Sequence, residues 1–385
     1  MSLELTILMP CLNEAESIAR CVRKARESLT RLGLKGEVLV ADNGSTDGSS
    51  EIATGEGARV IHVRRRGYGN ALRAGIAEAR GQWIVMGDAD DTYDFSDLGG
   101  FVEQMRQGAD LVMGCRFPQG GGRILSGAMP FPHRWLGNPA LSFVGRLFFR
   151  SRVRDFHCGL RAFRREAIER IHLRTTGMEF ASEMIVKAEL YGLKIAEVPV
   201  TLSPDARTRS PHLRSWRDGW RHLSFMLLYS PRWLFLIPGM VLILLGGVLG
   251  LRLWQGPLVV GSVGFDTNTL LACSMAVVLG FQLCLFAVFT RIFAVEGGLL
   301  PRSNRYESLF QIFTLERGLL AGAILILAGV GFFLRAVWLW REVGFGSLSY
   351  PDSLRLVIPA VTMITIGTQT VFSSFFLSIL GLRRR

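Results

Sequence analysis

Two patterns of apolar and polar positions divide the chain. Up to about residue 230, short aliphatic or β-branched runs alternate with charged and turn residues; beyond it, long stretches carry almost no charge. In the first part, Leu5 to Met9, Glu37 to Ala41, Arg59 to Val63, Trp83 to Met86 and Asp110 to Met113 predict strands. Helical patterns lie between them, with starts predicted at Asn13-Glu14-Ala15-Glu16, Ser45-Thr46-Asp47 and Tyr68-Gly69-Asn70. Strands separated by single helices predict a mostly parallel α/β sheet, in which ligands bind at the carboxyl ends of strands. Pro10 to Glu14, Asp42 to Asp47 and Asp88 to Asp91 fall there, so three strand ends are expected to point at one crevice.

After Ser230-Pro231, four apolar stretches span about 233–254, 270–293, 318–340 and 356–382, each near the roughly 20 residues a bilayer crossing needs. Arg232 precedes the first, Arg291 stands at the end of the second, Arg302, Arg305 and Arg317 lie between the second and third, and Arg383-Arg384-Arg385 follow the fourth. The connection from Gln255 to Thr269 has no Lys or Arg, so the positive-inside rule puts the arginines and both termini in the cytoplasm. Arg335, late in the third stretch, can extend its stem outward to water. Between the two parts, Leu213, Trp216, Trp220, Leu223 and Leu227 recur at helical spacing, with Arg214, Arg217 and Arg221 on neighbouring faces. That pattern predicts an interfacial amphipathic helix; a helix buried against the first domain is the alternative. The expected domains are therefore 1–211, the helix at 212–231 and a membrane domain over 232–385, with no internal repeat evident.

Composition sharpens this picture. A hydrophobic share of 49% and a mean hydropathy of +0.30 are too apolar for an ordinary soluble chain of 385 residues. The net charge of +12 comes with no nucleic-acid motif, and arginines beside apolar segments suit an anionic lipid surface. No nucleic-acid partner is expected. Cys11, Cys21, Cys115, Cys158, Cys273 and Cys284 show neither disulfide nor zinc spacing. No signal peptide is expected from the first ten residues, since Glu4 stands where a basic start belongs and the apolar run is short.

The chemistry centres on Asp88-Ala89-Asp90. Two carboxylates leaving a buried strand at its carboxyl end point to the same side and call for a cation. Magnesium or manganese would suit them and would bridge diphosphate oxygens. Alone, such a pair is equally a solvated turn. Asp42-Asn43-Gly44-Ser45-Thr46-Asp47-Gly48-Ser49 and Pro10-Cys11-Leu12-Asn13-Glu14 supply further carboxylates that can accept hydrogen bonds from a nucleobase and ribose, or else serve as helix caps. Asn43-Gly44-Ser45 is formally a glycosylation sequon, idle in the cytoplasm.

Together, P-x-x-N-E, D-x-G-S-x-D-G-S and D-A-D resemble the family-2 glycosyltransferases, and among them the polyprenyl-phosphate branch that includes dolichyl-phosphate mannose and glucose synthases. The resemblance covers roughly residues 5–230. It implies a GT-A-type nucleotide-diphospho-sugar fold, a Mg2+ or Mn2+ cofactor and inverting transfer of a hexose from a nucleotide-sugar donor (UDP-glucose or GDP-mannose) to a polyprenyl phosphate. By this resemblance Pro10, Leu12, Glu14 and Asp42 match nucleoside-binding positions. Asp88 and Asp90, with Ala89 between them, match those that hold metal and diphosphate. Arg116 and Arg134 look like the arginines that grip the acceptor phosphate, a role suited to a planar fork. Asp155 to Arg161 and Glu179 to Glu183 resemble segments lining the sugar pocket. Arg207, Arg209, Ser210 and His212 resemble a basic loop near the diphosphate that usually carries a lysine, and which residue replaces it is open. Asn43, at a position often acidic, and Thr92, where a glutamine is frequent, depart from the family pattern at positions that bear on donor choice and metal geometry.

An ionised acceptor phosphate needs no general base, whereas a hydroxyl acceptor would. The rival readings are a processive polysaccharide synthase, a transferase to a lipid hydroxyl, and a transporter with a nucleotide-sugar-binding domain. The first normally carries Q-x-x-R-W; here Tyr229 replaces the glutamine before Arg232-Trp233. The last would need a polar pathway, and Arg335 is the main charge inside the spans. Anchoring is the expected task of the spans, with lipid docking or a homo-oligomer as additional possibilities.

Overall fold

A computed structural model describes residues 3–131, 133–205, 215–302 and 314–382. They fall into two units, Met1–Tyr229 and Ser230–Arg385.

In the first unit the strands are β1 (Leu3–Cys11), β2 (Gly36–Asp42), β3 (Arg59–His62), β4 (Gly81–Met86), β5 (Leu111–Cys115), β6 (Arg123–Ile124), β7 (Arg161–Arg164), β8 (Ile195–Pro199) and β9 (Thr201–Leu202). The helices are α1 (Ile18–Arg31), α2 (Ser49–Gly55), α3 (Tyr68–Glu78), α4 (Gly99–Arg106), α5 (Asn138–Phe149), α6 (Arg165–Arg170), α7 (Phe180–Leu190) and α8 (Ser215–Leu228). Seven strands form one sheet in the order β3-β2-β1-β4-β7-β5-β8, while β6 and β9 pair separately. All predicted strands are present. Alternation along them serves both faces: Ile7, Val40 and Val85 pack with Ile18 and Val22 of α1, while Leu8, Leu39 and Ile84 pack with Leu72 and Ile76 of α3.

Every pairing in this sheet is parallel except those of β7, which runs antiparallel between β4 and β5. Its Arg-Ala-Phe-Arg sequence hides it, because Arg161 is fully buried. The Arg161 guanidinium donates to the carbonyls of Cys158, Ala181 and Phe156, which satisfies a charge that could not otherwise be enclosed.

Two helix starts move. The first helix begins at Ile18 and the second at Ser49, after Gly48 in the left-handed region at φ 85°. The residues expected to cap them bond instead across the two loops. The third start, at Tyr68, is as predicted.

The expected interfacial helix is α8, and its inward face is a correction. Phe225 and Met226 are buried with Val186 of α7 and pack against Leu141, Val144 and Phe148 of α5. Trp216 and Trp220 are exposed on the opposite side. One stripe of the helix therefore belongs to the first unit's core, as in the alternative, and the tryptophan stripe is exposed. Leu213 and Arg214 lie outside the described residues.

The second unit holds α9 (Ile237–Trp254), α10 (Thr267–Glu296), α11 (Leu315–Glu342) and α12 (Tyr350–Leu382), with a hairpin of β10 (Leu258–Val260) and β11 (Val263–Phe265) between the first two. Four helical spans, Arg232–Trp254, Thr267–Glu296, Leu315–Glu342 and Tyr350–Leu380, are long and apolar enough to cross a membrane, and each overlaps a predicted stretch. Small residues let backbones meet: an added Cβ on Gly239 would lie 2.7 Å from the Gly280 carbonyl, and one on Gly322 would lie 2.8 Å from that of Gly367. Polar side chains join α10 to α12, where Ser274 bonds Thr362 at 2.6 Å and Gln369 donates to Gln282 at 3.0 Å. Asp266, just before α10, pairs with Arg355.

Candidate active site

The parallel register brings the three polar segments together. Cys11 of β1 lies beside Asp42 of β2, and Leu8 beside Met86 of β4. The Gly87 amide then donates to the Leu8 carbonyl and the Asn43 amide to the Cys11 carbonyl. So Pro10, Leu12 and Glu14, Asp42, and Asp88-Ala89-Asp90 leave neighbouring strands at one edge of the sheet. This follows from strand order, which periodicity alone does not give.

The first two loops are laced to each other. Asn13, in the left-handed region at φ 59°, donates its amide to Ser45 Oγ at 2.9 Å and accepts the Thr46 amide on Oδ1 at 2.8 Å. The Glu14 amide donates to Ser49 Oγ and the Ala15 amide to Asp47 Oδ2. These bonds fix Asn13, Ser45, Asp47 and Ser49 as scaffold. Asp42 is 3% exposed and accepts from the Ser45 and Gly44 amides, with His62 Nδ1 at 3.3 Å. Burial pushes its carboxyl up, but the bonds from Ser45, His62 and Gly44 prevail and hold it below the usual carboxylate range.

Asn43 has a clear physical reason for not being acidic. Its amide nitrogen donates to the Val63 and Arg65 carbonyls at 3.1 and 2.9 Å, and its oxygen accepts the Gly67 amide at 2.7 Å. A carboxylate could only accept. Asn43 thus pins the loop that carries Arg64, Arg65 and Arg66.

At the third strand end, Asp88 Oδ1 accepts the Tyr68 hydroxyl at 3.0 Å. Asp90 Oδ1 accepts the Thr92 amide and hydroxyl at 3.1 and 2.6 Å, so Thr92 holds the second carboxylate in place. The Ala89 carbonyl accepts from Ser17 at 2.7 Å. Asp91 turns away to Arg20 and Lys24. Gly159 brings the segment before β7 against Asp88: a Cβ there would sit 2.5 Å from Asp88 Oδ2. Among the described residues no three His, Cys, Asp or Glu side chains cluster as a metal cage. Asp88 and Asp90 are the residues that would hold a hard divalent ion, to which a diphosphate would add its own oxygens.

The two arginines part company. Arg116 is 6% exposed and donates through Nε and Nη2 to Asp155 at 2.7 and 2.8 Å, so that edge of its fork is committed to a buried carboxylate. Arg134 lies in a π-helical turn, His133–Gly137, with its guanidinium 5.6 Å from the Trp135 ring. Phe131, Trp135 and Leu136 beside it are all exposed. Arg207, Arg209, Ser210 and His212 lie outside the described residues. Tyr68 is the contact that motif reasoning missed, and no spacing signal marks it. The thiols of Cys11 and Cys115 are pushed by burial up to about 11, and those of Cys21 and Cys158 up to about 12, so they are poor nucleophiles.

Two family profiles match the chain: glycosyl transferase family 2 over residues 6–172 and the glycosyltransferase family 2 C-terminal transmembrane region over residues 288–381. The low-salt glycan biosynthesis hexosyltransferase Agl6 of Haloferax volcanii is 38% identical over 98% of this chain and 89% of its own length. From the same organism, glycosyltransferase AglJ is 33% identical over 58% of this chain and 70% of its own. A dolichyl-phosphate hexose transferase, also from that organism, is 31% identical over 51% and 82%.

Proposed function

The chain belongs to glycosyltransferase family 2, as a membrane-integral glycosyltransferase, and we propose that it transfers a hexose from UDP-glucose or GDP-mannose to a polyprenyl phosphate, with inversion at the anomeric carbon. One observation carries this reading: the adjacent ends of β2, β1 and β4, at or just after which Asp42, Glu14 and the pair of Asp88 and Asp90 stand. The dolichyl-phosphate hexose transferase among its relatives supports the acceptor class.

In this mechanism Asp42 and Glu14 accept hydrogen bonds from the nucleobase and ribose, with Pro10 and Leu12 against the ring. Asp88 and Asp90 would hold Mg2+ or Mn2+, which supplies positive charge to the leaving diphosphate. Thr92 and Tyr68 keep the two carboxylates oriented. The acceptor phosphate, ionised at neutral pH, attacks the anomeric carbon, so no side chain has to remove a proton. Arg134 receives that phosphate, and the exposed Phe131, Trp135 and Leu136 suit a lipid-bearing acceptor. Arg116 contributes through Asp155, fixing the loop before Gly159. The basic loop of Arg207, Arg209, Ser210 and His212 is assigned to the departing diphosphate. Residues 1–211 form the catalytic domain and 212–231 the juxtamembrane helix before the membrane domain, with the catalytic domain and both termini in the cytoplasm.

The test incubates membranes holding the full chain with labelled UDP-glucose or GDP-mannose, with and without polyprenyl phosphate and a chelator. An acid-labile glycosyl phosphate formed with one donor, and lost on chelation, is expected. An acid-stable glycoside would sink the phosphate acceptor, and chelator-insensitive transfer would sink the metal assignment.

A further inference from the structure

Beyond the carboxylate pair, we propose that Tyr68 is a positioning residue for Asp88, held by a buried clamp at Glu183 and Lys187; this rests on Asp88 being a metal-holding carboxylate. The Tyr68 hydroxyl donates to Asp88 Oδ1. Its flanking glycines admit no side chain: a Cβ on Gly67 would lie 2.3 Å from the Thr176 carbonyl, and one on Gly69 would lie 2.5 Å from that of Thr175. The Asn70 amide donates to the Thr176 carbonyl at 3.3 Å. That loop is in turn fastened by Glu183, which accepts the Arg174 and Thr175 amides and the Thr175 hydroxyl. Glu183 and Lys187 are both fully enclosed, 2.8 Å apart, and Lys187 also donates to the His172 carbonyl. A buried pair one turn apart is weak as a source of stability, but this one is bonded to the backbone at His172, Arg174 and Thr175. Here it fixes the loop that seats the Tyr68 turn.

Activity of the full chain is measured against metal concentration for wild type, Tyr68→Phe and Glu183→Gln. Tyr68→Phe is expected to raise the half-maximal metal concentration roughly tenfold, as for one lost bond to a charged group, with kcat recovered at saturating metal and the thermal midpoint little changed. Glu183→Gln should move the same constant and also lower the midpoint. A metal-dependent wild type with an unchanged constant in Tyr68→Phe overturns the positioning role alone. A wild type indifferent to metal overturns the assignment of Asp88 with it.

The membrane unit independently carries a second inference: we infer that it is two copies of one helical hairpin, α9–α10 and α11–α12, docked on each other across a two-fold axis between α10 and α12. The buried positions of α9 are Gly239, Gly246 and Leu253, and those of α11 are Gly322, Gly329 and Ala336. The same constant shift aligns Leu242-Ile243-Leu244 with Leu325-Ile326-Leu327 and Leu251-Arg252 with Leu334-Arg335. The second helices follow suit, with Cys273, Gly280 and Ala287 corresponding to Ala360, Gly367 and Ser374, all buried or nearly so. Neighbours are equivalent too: Gly280 faces the Gly239 carbonyl and Ile243, and Gly367 faces the Gly322 carbonyl and Ile326. Across the axis, equivalent residues touch each other, as a two-fold interface requires. Gln282 bonds Gln369, 87 positions later, and Phe289 meets Phe376 with ring centroids 4.8 Å apart.

Oxidative cross-linking of the full chain tests this. With native cysteines replaced by serine, Phe289→Cys with Phe376→Cys and Gln282→Cys with Gln369→Cys should link, and Phe289→Cys with Phe372→Cys should not. A chimera carrying residues 322–335 in place of 239–252 should purify with an unchanged thermal midpoint. Failure of the equivalent pairs to link, or linking of the control pair as readily, overturns the two-fold; a chimera that unfolds while the pairs link overturns the duplication.

Discussion

At the scale of single residues, chemistry and scaffolding are interleaved in the same motifs. Asp42 and Asn43 are neighbours with opposite tasks: one is an acceptor held ionised, the other a donor to two carbonyls. Asn43→Asp is expected to destabilise the first unit by about 2 kcal/mol or more, because the Val63 and Arg65 carbonyls lose their donors. Chemical denaturation of the full chain in detergent checks it. Asp90→Asn is the converse case. The amide oxygen still accepts from Thr92, so the fold should persist while transfer falls by about 100-fold or more; initial rates beside a thermal melt separate the two. Motif order made the family and the carboxylates legible. The role of Tyr68 was not, since a hydrogen bond between α3 and the end of β4 leaves no trace in spacing.

Among the elements, α8 shows how one periodic pattern can serve two surfaces. Its tryptophans and arginines predict an interfacial helix, yet Phe225 and Met226 seat it on α5 and α7. A polar link lies within that contact: Ser182 Oγ is 2.8 Å from His222 Nδ1 and 3.4 Å from His157 Nε2. Burial, with His222, Arg116 and Arg161 nearby, holds the His157 ring well below the usual histidine range. A depressed histidine contributes stability that is complete above its unfolded value and is lost as pH falls through that value toward the folded one. Wild type should therefore lose stability from about pH 6.5 downward, with α8 loosening first, and His157→Gln should flatten the slope. Hydrogen exchange of 215–228 at pH 7.5 and 5.5 reads this directly, and equal protection at both would contradict it. The strand β7 was invisible for a related reason: a buried arginine satisfied by carbonyls looks like a surface residue in sequence.

For the molecule as a whole, composition separates a membrane part from an α/β part, and the structure places four spans where the apolar stretches are. Positive-inside counting makes a further prediction. A single cysteine at Ser262, in the hairpin connection between α9 and α10, should react with an impermeant maleimide from outside intact cells, whereas one at Ser96 should react only after lysis. The reverse labelling would invert the topology. By itself the sequence determined five of the main sheet's seven strands, the spans and the family, because periodicity, length and ordered motifs are local properties. Only the tertiary structure decided that β7 enters antiparallel, that Asn13 and Ser45 lace two loops instead of capping helices, and that Tyr68 reaches Asp88. It also decided that the membrane helices pack as two equivalent hairpins. Each of these depends on which distant segments become neighbours, and that is set by satisfying buried polar groups and close-packing small residues across elements, which no window along the chain contains.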